Sequence, residues 1–261
     1  MIRNPISDTS DNVTQMQDLK PPDHLCLIRL SALGDVCHTV AFARALAITW
    51  PNTQITWIIG TKEAPLVADM PNIRFITYNK LANIKSALQI WRELRKTRFD
   101  VLVLAQTSAR ANLLSLFIRA KRRVGFGGTW AKECHSMVVN ETTEISPTAH
   151  QAEAIFEFAR HVTQQSTLAL SEIDRGLPIQ SKAMDFARQY QPKAKEAVLI
   201  SPCSSHPLRN WNAKGYAAVA DWIVSKTRRP VILVGGPSNA EEEMGRQIEN
   251  LMQHPVTNLI G

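Results

Sequence analysis

Short apolar segments alternate with amphipathic helical stripes along most of this chain of 261 residues. Residues 25–30 and 101–105 have the length and composition of strands that are buried on both faces of a sheet. Ile84, Leu88 and Trp91 recur at the spacing of one helix face. Strands that alternate with helices are typical of a parallel sheet covered by helices on both faces, so the sequence predicts an α/β fold.

The same patterns place the other elements and divide the chain. Strands are also predicted at residues 55–59, 73–77, 123–126, 197–200, 231–234 and 256–260. Helices are also predicted around residues 36–50, 113–118, 155–162, 183–190, 216–223 and 244–251. We expect a disordered polar leader over residues 1–23, an α/β domain over 24–165, an interdomain connection over 166–195 and a second α/β domain over 196–261.

Asp35 is the first candidate functional residue. It follows the strand at residues 25–30 and opens an amphipathic helix that should leave one face free. The carboxyl ends of parallel strands are where open α/β sheets bind ligands. Gly34 would let a ligand approach the backbone closely. Asp is also a preferred helix N-cap, so a reactive carboxylate and a capping side chain both remain open at this point.

A second polar loop follows the strand at residues 197–200. Arg209 in this loop can bind phosphate oxygens in a bidentate manner. Hydroxyl and backbone donors before the next helix could add to an anion site, and these come from Ser201, Ser204 and Ser205. A polar loop with a solvated arginine is the alternative interpretation. After the strand at 231–234, Gly235 and Gly236 could line the same cleft.

Two motifs together point to a family. The segments R-L-S-A-L-G-D-V-x-H-T at residues 29–39 and S-P-x-S-S-H-P-x-R-N-W at residues 201–211 resemble the ADP-heptose:lipopolysaccharide heptosyltransferases of glycosyltransferase family 9. The resemblance runs from about Leu25 to the last residue. It implies a GT-B fold, in which two Rossmann-like domains each contain a parallel sheet. The family's D-x-G-x-x-H segment has no match here, so we expect the second domain to be truncated.

The resemblance implies an inverting transfer of heptose from ADP-heptose to the inner core of lipopolysaccharide. Asp35 would be the catalytic base, and Arg209 would stabilise the departing diphosphate. The donor side would also include Ser201, Ser204, Ser205, Gly235 and Gly236, and the acceptor side would consist of Gly34, His38, Gln106, Arg110 and Lys132. The family's Q-G-x-x-K-S region has Thr107 here in place of Gly. Because no D-x-D motif is present, we expect neither a metal nor a cofactor.

The net charge of +7 favours an anionic partner. Basic residues cluster at 92–98 and 119–123. Nucleic acid is one candidate, but no recognised nucleic-acid module accompanies these clusters, and a solvated basic face is the plain alternative. The four cysteines form no C-x-x-C pair, which argues against a structural zinc site. We expect Cys26 to be a buried thiol, and Trp57, Trp91 and Trp130 to be packing residues.

The sequence contains neither a signal peptide nor an apolar stretch of the roughly 20 residues that a membrane-spanning helix needs. We therefore expect no transmembrane segment and a cytoplasmic location. The resemblance adds a peripheral position at the cytoplasmic face of the inner membrane, where the lipopolysaccharide core precursor would be the acceptor. A transferase for another nucleotide sugar and a noncatalytic sugar-nucleotide or anionic-glycan binding protein remain alternatives. A nicotinamide-dependent oxidoreductase is disfavoured because no G-x-G-x-x-G follows the first strand.

Overall fold

The computed structural model describes residues 20–190, 196–204 and 206–261. These residues divide into two compact units, one that ends at Pro178 (unit 1) and one that begins at Ile179 (unit 2). Most of the predicted leader, residues 1–19, lies outside the described residues.

Unit 1 contains a six-stranded sheet and four α-helices. The strands are β1 His24–Ile28, β2 Gln54–Gly60, β3 Ile73–Tyr78, β4 Phe99–Leu104, β5 Ala120–Phe126 and β6 Glu141–Thr143. The helices are α1 Leu33–Thr49, α2 Asn83–Leu94, α3 Ala109–Ser115 and α4 Gln151–Thr163. All the strand pairs are parallel, and their order is β3-β2-β1-β4-β5-β6.

This strand order creates a switch point between β1 and β4. The chain after β1 turns to one side of the sheet, and the chain after β4 turns to the other. The two connections therefore leave a crevice between them, which is the usual ligand position in doubly wound sheets. The strands themselves are anchored by apolar side chains such as Leu27 and Val103, which are fully buried.

Helix α1 differs from its prediction. A free outer face was expected, and Leu33 and Ile48 on that side are exposed, but the buried part of the helix surface is wider than the predicted stripe and includes Phe42 and Ala45. Helix α4 packs against α1. The rings of Phe42 and Phe158 meet edge to face at 6.4 Å, so α1 contacts a neighbouring helix as well as the sheet.

Unit 2 is smaller. It contains α5 Ser181–Tyr190, β7 Val198–Ile200, α6 Ala213–Thr227, β8 Val231–Gly235, α7 Asn239–Leu251 and β9 Thr257–Ile260. The three strands are parallel in the order β7-β8-β9. Ala217, Ala220 and Ile248 pack against Val231 and Leu233 to form its core. Across the part of the chain that the structure describes, no helix has the length and apolar character to cross a membrane.

The predicted strands and helices are confirmed, with a few local differences. Strand β6 was not predicted, because it is three residues long and carries no apolar run. Helix α3 ends at Ser115, before the predicted limit at residue 118. Cys26 and Trp57 are fully buried, as expected. Trp91 was expected to pack in the core but is exposed on α2.

Candidate functional site

A cavity of about 410 Å³ lies at the switch point of unit 1. Its walls come from the ends of β1, β4 and β5 and from the segments that follow them. The polar and aromatic side chains that define it are Arg29, Asp35, Gln106, Trp130, Lys132 and Glu133. Asp35, Gln106 and Lys132 were predicted from the sequence, and the structure brings these three side chains into one cavity.

Asp35 lies in the first turn of α1, and its carboxylate pairs with the guanidinium of Arg29. Ala32 occupies the N-cap position, and Asp35 lies at N3, where its side chain can accept from the N-cap amide. The Asp35 side chain also accepts a hydrogen bond from the Ala32 amide at 3.3 Å. Both contacts use Oδ2, and within the described residues no protein group donates to Oδ1. The second carboxylate oxygen is therefore left for a ligand.

Arg29 is the buried partner that holds the Asp35 carboxylate in place. It is 5% exposed, and it also donates a hydrogen bond to the carbonyl of Ala105 at the end of β4. Burial lowers the pKa of Arg29, and the neighbouring Asp35 carboxylate opposes this effect by favouring the charged guanidinium. A buried arginine with these partners fixes the position of the carboxylate relative to both central strands.

Gln106 joins the two connections across the crevice. Its Oε1 accepts a hydrogen bond from the Leu30 amide at 2.7 Å, and its Nε2 donates to Ser108 Oγ at 3.1 Å. Ser108 in turn caps α3 by accepting from the Ala111 amide. Gln106 thus links the two connections structurally. Because both ends of its side-chain amide are bonded, the amide lines the cavity in a fixed position.

The wall opposite Asp35 is formed after β5. The rings of Trp130 and Phe126 are stacked, with centroids 6.0 Å apart. Glu133 has a positive φ of 51° and accepts a hydrogen bond from the Ala109 amide. Lys132 is exposed, and no carboxylate lies within 4 Å of it in the described part of the chain. This wall combines an aromatic surface with one available cation.

His135 supports this wall from the core. Its Nε2 accepts the Phe126 amide hydrogen at 3.0 Å, and its Nδ1 lies 2.9 Å from Asn112 Oδ1. Burial lowers the pKa of His135 to about 4, so the ring is neutral at physiological pH. A neutral ring with Nδ1 protonated satisfies both contacts, which identifies His135 as a buried structural residue.

Three predicted acceptor residues lie elsewhere. Gly34 is exposed on the first turn of α1. His38 is half-buried one turn further along, with its ring 5.7 Å from that of His150. Arg110 lines a groove between α2 and α3. None of these three residues lines the Asp35 cavity. The His38 and Arg110 side chains lie on other parts of α1 and α3.

The predicted donor loop in unit 2 is open to solvent. Ser201 and Arg209 are exposed, and among the described residues no carboxylate lies within 4 Å of Arg209. Ser204 Oγ donates to the His206 carbonyl at 3.0 Å, and the Ser204 amide donates to Asn210 Oδ1 at 2.8 Å. Ser205 lies outside the described residues. The loop is therefore shaped by its own hydrogen bonds, and the guanidinium remains available.

Two further features border this loop. Asn212 caps α6 by accepting from the Gly215 amide at 2.8 Å, and a Cβ on Gly215 would lie 2.5 Å from the Trp211 ring. After β8, the Gly236 amide donates to the Glu241 carboxylate at 2.7 Å. The Gly236 amide is thus used internally, which weakens the predicted phosphate contact at the turn formed by Gly235 and Gly236.

Sequence reasoning missed Arg29, Glu133 and Gln151, which also line the cavity. A signal existed for Arg29, because a charged residue at the end of an apolar strand is rarely buried without a partner. Over residues 20–190, 196–204 and 206–261, no group of three His, Cys, Asp or Glu side chains is placed to hold a metal ion.

Comparisons with known proteins identify the family. The family model of glycosyltransferase family 9 (heptosyltransferase) matches residues 87–261. The lipopolysaccharide core heptosyltransferase OpsX of Haemophilus influenzae is 35% identical over 240 residues, which is 92% of this chain and 68% of that protein.

Solved structures agree on the fold. A family 9 glycosyl transferase from Veillonella parvula superposes with a TM-score of 0.72 at 22% identity, covering 92% of this chain and 69% of that one. Heptosyltransferase WaaC of E. coli, solved with ADP, gives 0.67 at 15% identity, covering 90% of this chain and 76% of that one. The expected GT-B class with parallel sheets is confirmed. The chain belongs to glycosyltransferase family 9, the heptosyltransferases.

Proposed function

We propose that this glycosyltransferase moves a heptose from ADP-heptose to the inner core of lipopolysaccharide in a single inverting displacement. The observation that carries the proposal is the Asp35 carboxylate at the switch-point cavity, held through Oδ2 with Oδ1 left to a ligand. The similarity to the lipopolysaccharide core heptosyltransferase of Haemophilus influenzae supports the acceptor class. A cytoplasmic location and independence of any metal or cofactor are parts of the same proposal.

Asp35 acts as the general base. As an acceptor hydroxyl attacks the anomeric carbon, Oδ1 takes its proton, and the bond from that carbon to the diphosphate breaks. The ion pair with Arg29 keeps the carboxylate oriented before the acceptor arrives.

Arg209 stabilises the departing diphosphate. Its guanidinium is exposed and has no carboxylate partner within 4 Å among the described residues, so a diphosphate would not have to displace an internal partner. Charge-assisted bonds from arginine to phosphate oxygens are bidentate and strong. The hydroxyl of Ser201, which is exposed beside β7, is a neutral donor for the same anion.

The acceptor contacts are shared between two walls of the cavity. Lys132 is the available cation for a phosphate or carboxylate of the acceptor. Trp130, which packs against Phe126 as the sequence predicts, also lines this wall of the cavity. Gln106 is restrained by its bonds to the Leu30 amide and to Ser108, so its side chain would position a hydroxyl with little loss of entropy. Gly34, His38 and Arg110 remain proposals at the rim.

Replacement of the base tests the proposal. Asp35→Asn keeps the size of the side chain and its bond from the Ala32 amide, but it removes the base. We expect turnover to fall about 100-fold or more, the usual loss for a general base. Release of ADP from ADP-heptose, with heptose-deficient lipopolysaccharide as the acceptor, measures this turnover.

A matched control makes the result specific. Asp69→Asn removes an exposed carboxylate outside the cavity and should leave turnover unchanged. Thermal unfolding of both variants shows whether they are folded. A folded Asp35→Asn protein with near wild-type turnover would overturn the assignment of the base, and a product with retained anomeric configuration would overturn the single displacement.

A further inference from the structure

Helix α2 presents an apolar stripe to solvent. Ile84, Leu88 and Trp91 follow one another at spacings of four and three residues, so they share one helix face. All three are exposed, and Ile84 has 81% of its surface accessible. The neighbouring face of α2 carries the buried residues Ile90 and Leu94. The helix is therefore anchored by one apolar face and displays a second.

Helix α3 and the turn after it extend this apolar surface. Leu113, Leu116 and Phe117 are exposed, and Leu113 has 60% of its surface accessible. Leu113 and Phe117 line a groove of about 470 Å³ together with Ile84 and Leu88 of α2. Scattered exposed apolar residues are ordinary, but a contiguous set on two adjacent helices indicates an interaction site.

Basic side chains surround the apolar residues. Residues 80–98 contain six basic residues and one acidic residue, and that acidic residue, Glu93, pairs with Arg74 at 2.5 Å. Within the described residues, no carboxylate lies within 4 Å of Lys85, Arg92 or the basic residues at 95–98. Their positive charge is therefore available to a partner.

The second predicted basic cluster behaves differently. Lys121 pairs with Asp100 at 2.7 Å, and Arg122 pairs with Glu141 at 2.8 Å. Arg123 donates to the carbonyls of Val138, Ile118 and Ser115. The remaining member, Arg119, is exposed, and among the described residues no carboxylate lies within 4 Å of it. Of the two predicted clusters, the one on and just after α2 therefore has more unpaired positive charge, and it lies beside the apolar groove.

We infer that the exposed faces of α2 and α3 form a docking surface for an anionic lipid bilayer. Leu, Ile, Trp and Phe side chains insert at the boundary between headgroups and acyl chains, while flanking Lys and Arg side chains bind anionic headgroups. The basic charges favour this occupant over a second copy of the chain. A symmetric contact would place the same unpaired cations of two copies against each other.

The docking surface begins near the cavity along the chain. Helix α3 begins at Ala109, directly after Ser108, which lines the Asp35 cavity. Arg110, two residues after Ser108, lines the groove. This inference rests on the proposed function in one respect, which is that the acceptor is a glycolipid anchored in the bilayer and presents its sugars to the cavity.

Vesicle binding tests the inference directly. The protein is mixed with vesicles of phosphatidylcholine alone or with 30% phosphatidylglycerol, a composition chosen on the order of natural anionic content, and the bound fraction is measured by sedimentation. We expect binding to the anionic vesicles and its loss at high salt. Leu113→Ser with Phe117→Ser should lower the partition coefficient at least about tenfold, because two inserting side chains are removed.

Charge variants separate the contribution of electrostatic attraction to vesicle binding from that of apolar insertion. Lys85→Gln and Arg92→Gln should each lower binding to anionic vesicles about fivefold and leave binding to neutral vesicles unchanged. Ile48→Ser on α1 and Lys226→Gln on α6 remove an exposed apolar and an exposed basic residue elsewhere, and they should have no effect. Equal losses in these controls, or no binding to anionic vesicles, would overturn the inference.

A second set of measurements separates this inference from the proposed function. If both hold, the Leu113→Ser, Phe117→Ser variant uses a deacylated, soluble acceptor as well as the wild type and loses activity only with acceptor in vesicles. Equal activity on both acceptors would overturn the docking surface and leave the transferase intact. Absence of transfer to either acceptor by the wild type would overturn the proposed function, while vesicle binding would still decide the docking surface. A dimer that the same substitutions dissociate would assign the surface to a second copy instead.

Discussion

The two candidate site regions are built in opposite ways. In unit 1, Asp35 is held by the buried Arg29, and Gln106 is bonded to both connections of the crevice. In unit 2, Arg209 is exposed in a loop whose hydrogen bonds involve its neighbours. The first region is organised without any ligand. In the second region, the charged guanidinium of Arg209 remains solvated.

The two regions differ in whether the free-energy cost of ordering the site arises during folding or during ligand binding. A preorganised carboxylate loses little entropy when the acceptor binds, but its ion pair must be built during folding. A solvated arginine costs the fold little, but its side chain must be ordered when the donor binds. Substitutions in the ion pair of Arg29 and Asp35 should therefore change stability and activity together, whereas substitutions at Arg209 should change activity alone.

Arg29→Met gives the largest expected effect. It leaves the Asp35 carboxylate and the Ala105 carbonyl without their common partner, and removal of one member of a buried ion pair costs about 3 to 5 kcal/mol. The free energy of unfolding, measured with a chemical denaturant, should fall by this amount. Arg92→Met, on the exposed face of α2, is the control and should change it by less than about 0.5 kcal/mol. A loss at Arg29 as small as that of the control would mean that the site is not preorganised.

Arg209→Ala comes next and should act only on catalysis. Loss of charge stabilisation at the diphosphate should raise the barrier by about 2 to 4 kcal/mol, which lowers kcat/KM roughly 30- to 1000-fold. The free energy of unfolding should stay within about 0.5 kcal/mol of the wild type, because the side chain is exposed. A decrease of less than twofold in kcat/KM would show that Arg209 is only a solvated loop residue, and the comparison of the two regions would then fail.

The smallest expected effect is the contribution of His135 to the pH dependence of the free energy of unfolding. Its pKa is about 4 in the folded protein and 6.5 when unperturbed, so the unfolded chain binds more protons between these values. The stabilisation is therefore fully present above pH 6.5 and is lost as the pH falls toward 4. Between pH 7 and pH 5 the wild type should lose about 2 kcal/mol more of its unfolding free energy than the His135→Gln variant does. Parallel curves for the two proteins would show that His135 titrates normally.

The sequence allowed the elements to be predicted because each carries its own periodicity. The stripe of Ile84, Leu88 and Trp91 predicts α2 correctly, but the spacing could not tell which side is covered. Trp91 was expected inside and is outside. For α1, the buried surface is wider than the predicted stripe, and α4, an element far away in sequence, packs against it. Periodicity reports local geometry, whereas burial depends on which distant element packs there.

The candidate site also combines features that the local sequence predicts with features that depend on the fold. Asp35 and Gln106 could be predicted because both follow strands, and strand ends meet at one edge of a parallel sheet. The pairing of Arg29 with Asp35 could not be predicted, because six residues across a strand-to-helix turn fix no distance. Arg110 follows the same strand as Gln106, yet the first turn of α3 carries it into the groove. The direction of a helix after its strand is a property of the fold.

The contacts of α1 with the sheet and with α4 have a consequence for hydrogen exchange. Amides of a helix whose side chains are mostly buried exchange when the surrounding core opens, so most of α1 should exchange slowly. The amides of α5 and of the loop at residues 206–211 are near solvent and should exchange through local openings. The Asp35 carboxylate is thus attached to one of the more slowly exchanging elements of the protein, and deuterium labelling would distinguish it from the surroundings of Arg209 without any substitution.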